Sequence, residues 1–229
     1  MIVGNGQLAK IFQKSQITYD VCIFASGVSN SNCKDKQQFE REKNLLIDAL
    51  KNNSDKKFVY FSSTALSANE YPKNDYYKHK SKMETVIKEH SKNYYIFRIP
   101  QLFGDLILHK TIINFLYKSI EQNHNFAIYD EAYRYVIEIN DLKTLVEAYL
   151  QYSKSCITVD LANPYRYKVL DIVQILEELM KKEACFELVE KNDGYLLDLS
   201  DMKSFTEKNH IDIAFGKDYL FTKLLEKIK

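Results

Sequence analysis

Apolar residues in this chain come in short blocks separated by amphipathic stretches. Residues 1–3 form the first block, a glycine turn follows at once, and residues 7–14 then place Leu8, Ile11 and Phe12 on one helical face. Residues 21–25, Val-Cys-Ile-Phe-Ala, close on Ser26 and Gly27 and have the composition of a parallel strand covered on both sides. Residues 36–51 carry Phe39, Leu45, Leu46, Ala49 and Leu50 among charges, the pattern of a surface helix, and residues 57–61 supply a third strand. The spacing predicts another helix over 81–90 and a buried strand over 94–99, ended by Pro100. Helices are expected at 111–120 and 142–152, with short extended pieces at 126–129 and 135–139 between them. A strand at 157–161 precedes the most regular helix, 169–181, where Leu170, Val173, Leu176 and Met180 share a face. A final helix begins at Tyr219.

Strand and helix alternate, so the chain reads as α/β, a doubly wound parallel sheet with a smaller C-terminal lobe. No repeat, low-complexity run or Pro/Gly-rich linker divides it. At 229 residues it is expected to form one domain, with 1–110 mainly the core of the sheet and 111–229 a mixture of core and lobe.

Composition mainly excludes. A formal net charge of +1 leaves no global field to recruit nucleic acid or an anionic membrane, so an anionic ligand must be held locally. Cys22, Cys33, Cys156 and Cys185 are scattered without zinc-site spacing and read as reduced thiols, and no metal site is expected. No apolar run is long enough for a signal peptide or membrane span, which points to a cytoplasmic protein.

Two features carry chemistry. Gly4-Asn5-Gly6-Gln7-Leu8-Ala9 has the form Gly-x-Gly-x-x-Ala where a strand should hand over to a helix. A dinucleotide requires the first glycine for the tight turn, the second for close approach of the pyrophosphate, and a small third residue for packing. An ordinary strand-to-helix turn has the same appearance, so the pattern alone decides nothing. Tyr76 and Lys80 are four apart, a spacing that puts both on one helical face. Tyr219 and Lys223 share that spacing, and context must separate them. Tyr76 and Lys80 follow a predicted strand and its polar exit Ser62-Ser63-Thr64, whereas Tyr219 has no such neighbour.

The motifs fall in one order along nearly the whole chain: the glycine turn, Asp20-Val-Cys-Ile-Phe-Ala25, Phe58-Val-Tyr-Phe-Ser-Ser-Thr64 and Tyr76-x-x-x-Lys80-x-x-x-Glu84. Arg98-Ile-Pro-Gln-Leu-Phe-Gly104, Tyr135-Val-Ile-Glu-Ile-Asn-Asp-Leu142 and Asp160-Leu-Ala-Asn-Pro164 follow. In this order they resemble the extended short-chain dehydrogenase/reductases, the NAD-dependent epimerase/dehydratase family. The resemblance implies a shortened Rossmann-like sheet with a small C-terminal substrate lobe, NAD or NADP as cofactor, a nucleotide sugar as substrate and a possible homodimer. It implies a catalytic set of Thr64, Tyr76 and Lys80. Tyr76 would exchange a proton with the substrate oxygen, Lys80 would supply the cation that makes a phenol of pKa near 10 usable and would bind the nicotinamide ribose, and Thr64 would hold the reacting oxygen. It also assigns Gly4, Asn5, Gly6, Gln7, Leu8, Ala25, Ser26, Gly27, Ser62 and Pro100 to the cofactor. Arg134 and Arg166, two of few arginines, are the expected diphosphate ligands in the lobe, because a guanidinium pairs bidentately with phosphate. His79, His90, His109, His124 and His210 are expected to be solvated or to sit at the edge of the core, and the stretch 223–229 to be a frayed helix face.

The chain departs from the family near its start. About three dozen residues, carrying two strands, ordinarily separate the glycine-turn helix from the strand that begins here near Asp20. The first of those two strands, the family's second, ends in the acid that holds the adenosine ribose, so no residue takes that role here. Weak dinucleotide binding, or an adenosine pocket closed by other residues or a partner, is expected. The choice between NAD and NADP stays open. A reductase releases its cofactor each turnover and tolerates weak binding better than an epimerase. After Thr64 stand Ala65 and Leu66 where dehydratases of the family place Asp-Glu, which argues against dehydration. The family's combined epimerase-reductases use a Cys two residues beyond the first catalytic serine, absent here, and a later His to which His109 is a loose positional match. Reduction of a 4-keto sugar nucleotide, in a setting such as surface-glycan synthesis, is the expected reaction. The alternatives are an epimerase acting through a transient ketone and a reductase-like binding subunit without catalysis.

Overall fold

The computed structural model describes residues 1–13, 15, 20–108 and 111–228, so that Lys14, His109 and Lys229 lie outside the described residues. The described chain divides into two compact units, each drawn from three stretches of sequence. The first comprises Met1–Ile99, Leu142–Leu161 and Leu197–Ile211, and the second Pro100–Asp141, Ala162–Leu196 and Asp212–Lys229.

The first unit is built on a five-stranded parallel sheet. Its strands are β1 (Ile2–Val3), β2 (Val21–Phe24), β3 (Lys57–Ser63), β4 (Tyr94–Ile99) and β8 (Ile157–Asp160), hydrogen-bonded in the order β1-β2-β3-β4-β8. Helices cover both faces. On one, α2 (Lys36–Asn52) and α3 (Asp75–His90) press Leu46, Ala49, Leu50, Met83 and Ile87 against Cys22, Phe24, Phe58, Tyr60 and Ile96. The other face presents Phe61 and its register partner Phe97. Phe12 of α1 (Gln7–Phe12) stacks on Phe61 at 5.9 Å, and Tyr149 of α5 (Ile139–Tyr152) lies 5.7 Å from Phe97. Phe205 of α7 (Ser200–Lys208) stacks on Tyr149 at 3.7 Å.

The strand order rises steadily while α1 and α2 lie on opposite faces. The β1–β2 and β2–β3 crossovers therefore have opposite hands, which breaks a rule that parallel connections rarely break. Gly4 and Ala25 follow the carboxyl ends of β1 and β2, the end of the sheet at which doubly wound folds take their ligands.

The second unit contains a three-stranded sheet in the order β10-β6-β9, from β6 (Phe126–Arg134), β9 (Tyr167–Lys168) and β10 (Phe186–Asp193), and a parallel pair of β5 (Gln101–Phe103) with β7 (Val136–Glu138). The β10–β6 pairing is parallel and the β6–β9 pairing antiparallel. Its core joins Ile113, Leu116 and Ile120 of α4 (Ile112–Glu121), Ile172, Val173 and Leu176 of α6 (Val169–Met180), and Tyr219, Leu220 and Leu224 of α8 (Tyr219–Leu225).

The apolar blocks became the expected strands and helices, with three shifted boundaries and four added elements. Helix α3 begins at Asp75, six residues before the predicted start, because the Asn74 side chain accepts from the Tyr77 amide and caps it there. Helix α5 begins at Ile139 rather than Leu142, and β6 runs on to Arg134. β5, β9, β10 and α7 were not expected. The four cysteines are free thiols, Cys22 and Cys33 buried and Cys156 and Cys185 exposed. Among the described residues no helix is long and apolar enough to cross a membrane.

Candidate active site

Gly4 ends β1 at φ +125°, a conformation that L side chains rarely adopt, and a Cβ there would lie 2.5 Å from the Ala25 carbonyl oxygen. The turn is thus pressed against the exit of β2, which brings Gly4 beside Ala25 and Ser26. A Cβ on Gly6 would meet open space, so nothing in the chain itself demands glycine there. Its bareness keeps the exposed Asn5-Gly6 backbone open to a ligand, with Gln7 and Leu8 half-buried behind it at the start of α1.

Gly27, beyond the end of β2, makes room for a lysine. A Cβ on it would lie 2.6 Å from Lys80 Nζ and 3.0 Å from Glu42 Oε1. Lys80 is 3% exposed, and its ammonium donates to Glu42 Oε1 at 3.0 Å, Tyr60 Oη at 3.1 Å and the Phe61 carbonyl at 3.5 Å. The same ammonium stands 5.8 Å from the centre of the Tyr76 ring. Tyr76 is buried against Val28, Cys33 and Phe39, with Tyr77 edge-on at 5.2 Å. Thr64 is fully buried in the 3₁₀ turn Thr64–Leu66 that leaves β3 and packs against α3. One end of one sheet thus holds the glycine turn, Ala25 to Gly27, Ser62, Thr64, Tyr76 and Lys80. Ser62 Oγ is a buried hydroxyl with no hydrogen-bond partner among the described residues.

The other Tyr-x-x-x-Lys pair shows why spacing alone is uninformative. Lys223 Nζ lies 5.7 Å from the Tyr219 ring centre, nearly the same distance as in the first pair. Yet Tyr219 is 2% exposed, donates to Asp141 Oδ2 at 2.6 Å and accepts from the Glu138 amide. Burial and the Asp141 carboxylate raise its pKa, the wrong direction for a proton-transfer group.

Glu42, unexpected from the sequence reading, is the charge centre of the site. It is fully buried, accepts from Tyr60 Oη at 2.7 Å and from the Val28 amide at 2.6 Å, and lies 3.1 Å from His79 Nε2. Burial pushes its carboxyl up, but Lys80, then His79, Tyr60 and the Val28 amide outweigh burial and hold it down at about 2. His79 is correspondingly buried, at 7% exposure, with its ring stacked on Phe39. The clue to Glu42 was its position: Phe39, Glu42, Leu46, Ala49 and Leu50 fall in one helical register, so a glutamate occupies the core stripe of α2.

A second polar cluster ties α3 to the ends of β4 and β8. Arg98 forms a bidentate pair with Glu84, Nε–Oε1 2.9 Å and Nη2–Oε2 2.7 Å, and donates to Ser67 Oγ, which donates to Asp160 Oδ2 at 2.5 Å. Nearby, the Lys73 ammonium donates to the carbonyls of Ala65, Ala68 and Tyr71, closing the segment between Thr64 and Tyr76. Burial raises the Asp160 carboxyl to about 6, against the downward pull of Ser67 and Arg98 and with a smaller push from Glu84. A folded pKa above the unfolded value means that the group favours folding at low pH, and that this contribution is lost as pH rises from about 4 to about 6. Asp160→Asn, which can still accept from Ser67, should therefore add on the order of 2 kcal/mol of stability at neutral pH and almost nothing at pH near 4. Urea unfolding at the two pH values checks this, and equal effects at both would contradict it.

In the second unit Arg134 and Arg166 meet around the end of β10. Arg134 pairs with Asp193 at 2.5 Å and donates to the Asp193 and Tyr133 carbonyls. The Arg166 guanidinium lies 4.2 Å above the Tyr133 ring and donates to the Tyr195 carbonyl. Both arginines are half-buried, and Arg134 is already matched by a carboxylate. Pro100, expected beside the cofactor, opens this unit and is half-buried.

No family model and no curated protein matches the sequence. Solved structures do. RMD from Pseudomonas aeruginosa complexed with NADPH superposes with a TM-score of 0.73 over 91% of this chain and 81% of that one, at 13% identity. UDP-glucuronic acid 4-epimerase from Bacillus cereus, in complex with UDP-glucuronic acid and NAD, gives 0.72 over 98% and 78%, at 18% identity. The chain has their fold. A dTDP-glucose 4,6-dehydratase from Bacillus anthracis in complex with NAD shares it too, with a TM-score of 0.73 over 96% of this chain and 75% of that one, at 11% identity. This Rossmann-like fold is the one that the ordered motifs imply, and the fold survives at identities where sequence comparison finds nothing.

Proposed function

We propose that the protein is an NAD(P)-dependent oxidoreductase of nucleotide-sugar metabolism that reduces a 4-keto sugar nucleotide. The observation that carries the reading is the placement of Tyr76 and Lys80 on one face of α3, with Lys80 Nζ against Gly27 at the mouth of the sheet and 5.8 Å from the Tyr76 ring. Structures with this fold, among them a 4,6-dehydratase and a 4-epimerase, are described with NADPH or NAD bound.

The residues fit a dinucleotide. The exposed Gly4-Asn5-Gly6 backbone would face a pyrophosphate, with open space at Gly6, and Ala25 to Gly27 lie beside it; Ser62 adds a buried hydroxyl without a hydrogen-bond partner among the described residues. A bound nicotinamide supplies the hydride. Tyr76 donates the proton that the substrate oxygen requires as negative charge builds on it, and Thr64 fixes that oxygen by a hydrogen bond. Lys80 keeps a positive charge near the phenol and favours its loss of the proton. Arg134 and Arg166 are the proposed ligands of the substrate diphosphate, with Arg166 the stronger candidate because Asp193 already neutralises Arg134.

Fluorescence titration with NADH and NADPH, followed by turnover on 4-keto sugar nucleotides, tests the reading. Saturable binding and stoichiometric consumption of reduced cofactor are expected. Sugar interconversion without net consumption would favour an epimerase, and failure to bind any dinucleotide would favour a non-catalytic binding subunit.

A further inference from the structure

Lysine beside a tyrosine is expected to make the phenol a stronger acid, but here the lysine does not act alone. Each Glu42 oxygen has two close polar partners: Tyr60 Oη and Lys80 Nζ at Oε1, the Val28 amide and His79 Nε2 at Oε2. A carboxylate with no exposure that accepts from the Tyr60 hydroxyl, the Lys80 ammonium and the Val28 amide is a fixed countercharge. We infer that Glu42 is a positioning residue for proton transfer: it holds the Lys80 ammonium in place and offsets its charge, and so sets how readily Tyr76 gives up its proton. The inference rests on the reading of Tyr76 as the acid of the reaction.

Among the described residues, the groups around this pair come from three elements and one loop. From β3 come the Tyr60 hydroxyl and the Phe61 carbonyl; from α3, His79, Lys80 and, farther off, Glu84, whose carboxylate is paired with Arg98. The loop after β2 contributes the Val28 amide and the Cys33 thiol. From α2, Arg41 turns to the Ser26 carbonyl at 3.2 Å. Glu42 and Lys80 together sum to about zero charge. A phenol beside a neutral pair stays protonated to higher pH than one beside a bare ammonium, which suits a residue that must donate in the reducing direction.

The test needs neither cofactor nor substrate. Tyrosinate absorbance is followed against pH for the protein and for the same protein carrying Tyr76→Phe, and the difference isolates residue 76. In Glu42→Gln the cluster becomes cationic, and the Tyr76 midpoint should fall by about one pH unit, a tenfold loss of proton affinity. Glu42→Asp keeps the charge but draws it back from the ammonium, and should give a smaller fall in the same direction. It also retains the carboxylate on which the fold depends, so it serves if the glutamine variant does not fold. Glutamate acting merely as a structural tie would leave the Tyr76 midpoint unmoved in folded variants, and that result would overturn the inference. Failure of the wild-type protein to bind any dinucleotide would instead defeat the functional reading, whatever the titration gave.

Discussion

Tyr76→Phe should lower carbonyl reduction by about a thousandfold while leaving reduced-dinucleotide binding within a factor of a few. The substitution deletes one hydroxyl and keeps the ring that packs on Val28, Cys33 and Tyr77. Lys80 does not depend on that hydroxyl for its place, because Glu42, Tyr60 and the Phe61 carbonyl hold it. A thousandfold corresponds to about 4 kcal/mol of barrier, within what a positioned acid contributes. Steady-state turnover beside a binding titration separates the two quantities. A loss below tenfold would take the acid role away from Tyr76, and equal losses of rate and cofactor affinity would make the residue a packing element.

The largest effect on stability should come from Arg98→Met. Glu84 has a side chain only 4% exposed, and the guanidinium satisfies both of its oxygens. Lys88, at 3.9 Å and nearly half exposed, is too distant and too wet to replace it. Removing Arg98 leaves a buried carboxylate without its partner, which typically costs about 3–5 kcal/mol. The double variant Arg98→Met with Glu84→Leu should recover most of that loss, since a buried pair exchanged for apolar groups of similar size is often close to neutral. Urea midpoints at constant slope read both quantities. A single variant as stable as the wild type would mean that water reaches Glu84.

Elements with a buried face were legible in the sequence. β2 and β4 announced themselves because sheet and helices cover them on both sides, and α6 because its apolar stripe has somewhere to pack. β10 was invisible for the opposite reason: six of its eight residues are exposed, so Phe-Glu-Leu-Val-Glu-Lys-Asn-Asp has no alternation to detect. α7 buries Met202 alone and touches the core mainly through Phe205, too little to raise a periodic signal. In the candidate site, the glycine turn, Thr64, Tyr76 and Lys80 are proposed from their types and order. Glu42 was missed because a charge inside an apolar register reads as an interruption of the helix face, when it marks where a second charge is buried. The twelve-residue interval from Thr64 to Tyr76 contains no regular element beyond one 3₁₀ turn and α3's first residues, so its geometry could not be read from periodicity.

That interval is nonetheless organised, by one amine. A single ammonium gathering three carbonyls from Ala65 to Tyr71 replaces the ladder that a helix or sheet would have provided. Each ordered residue gives up roughly 1–2 kcal/mol of conformational freedom, and here that loss is incurred during folding. On the proposed reading, the segment joining Thr64 to Tyr76 is therefore ordered before any substrate arrives, and substrate binding free energy need not be diverted to ordering it.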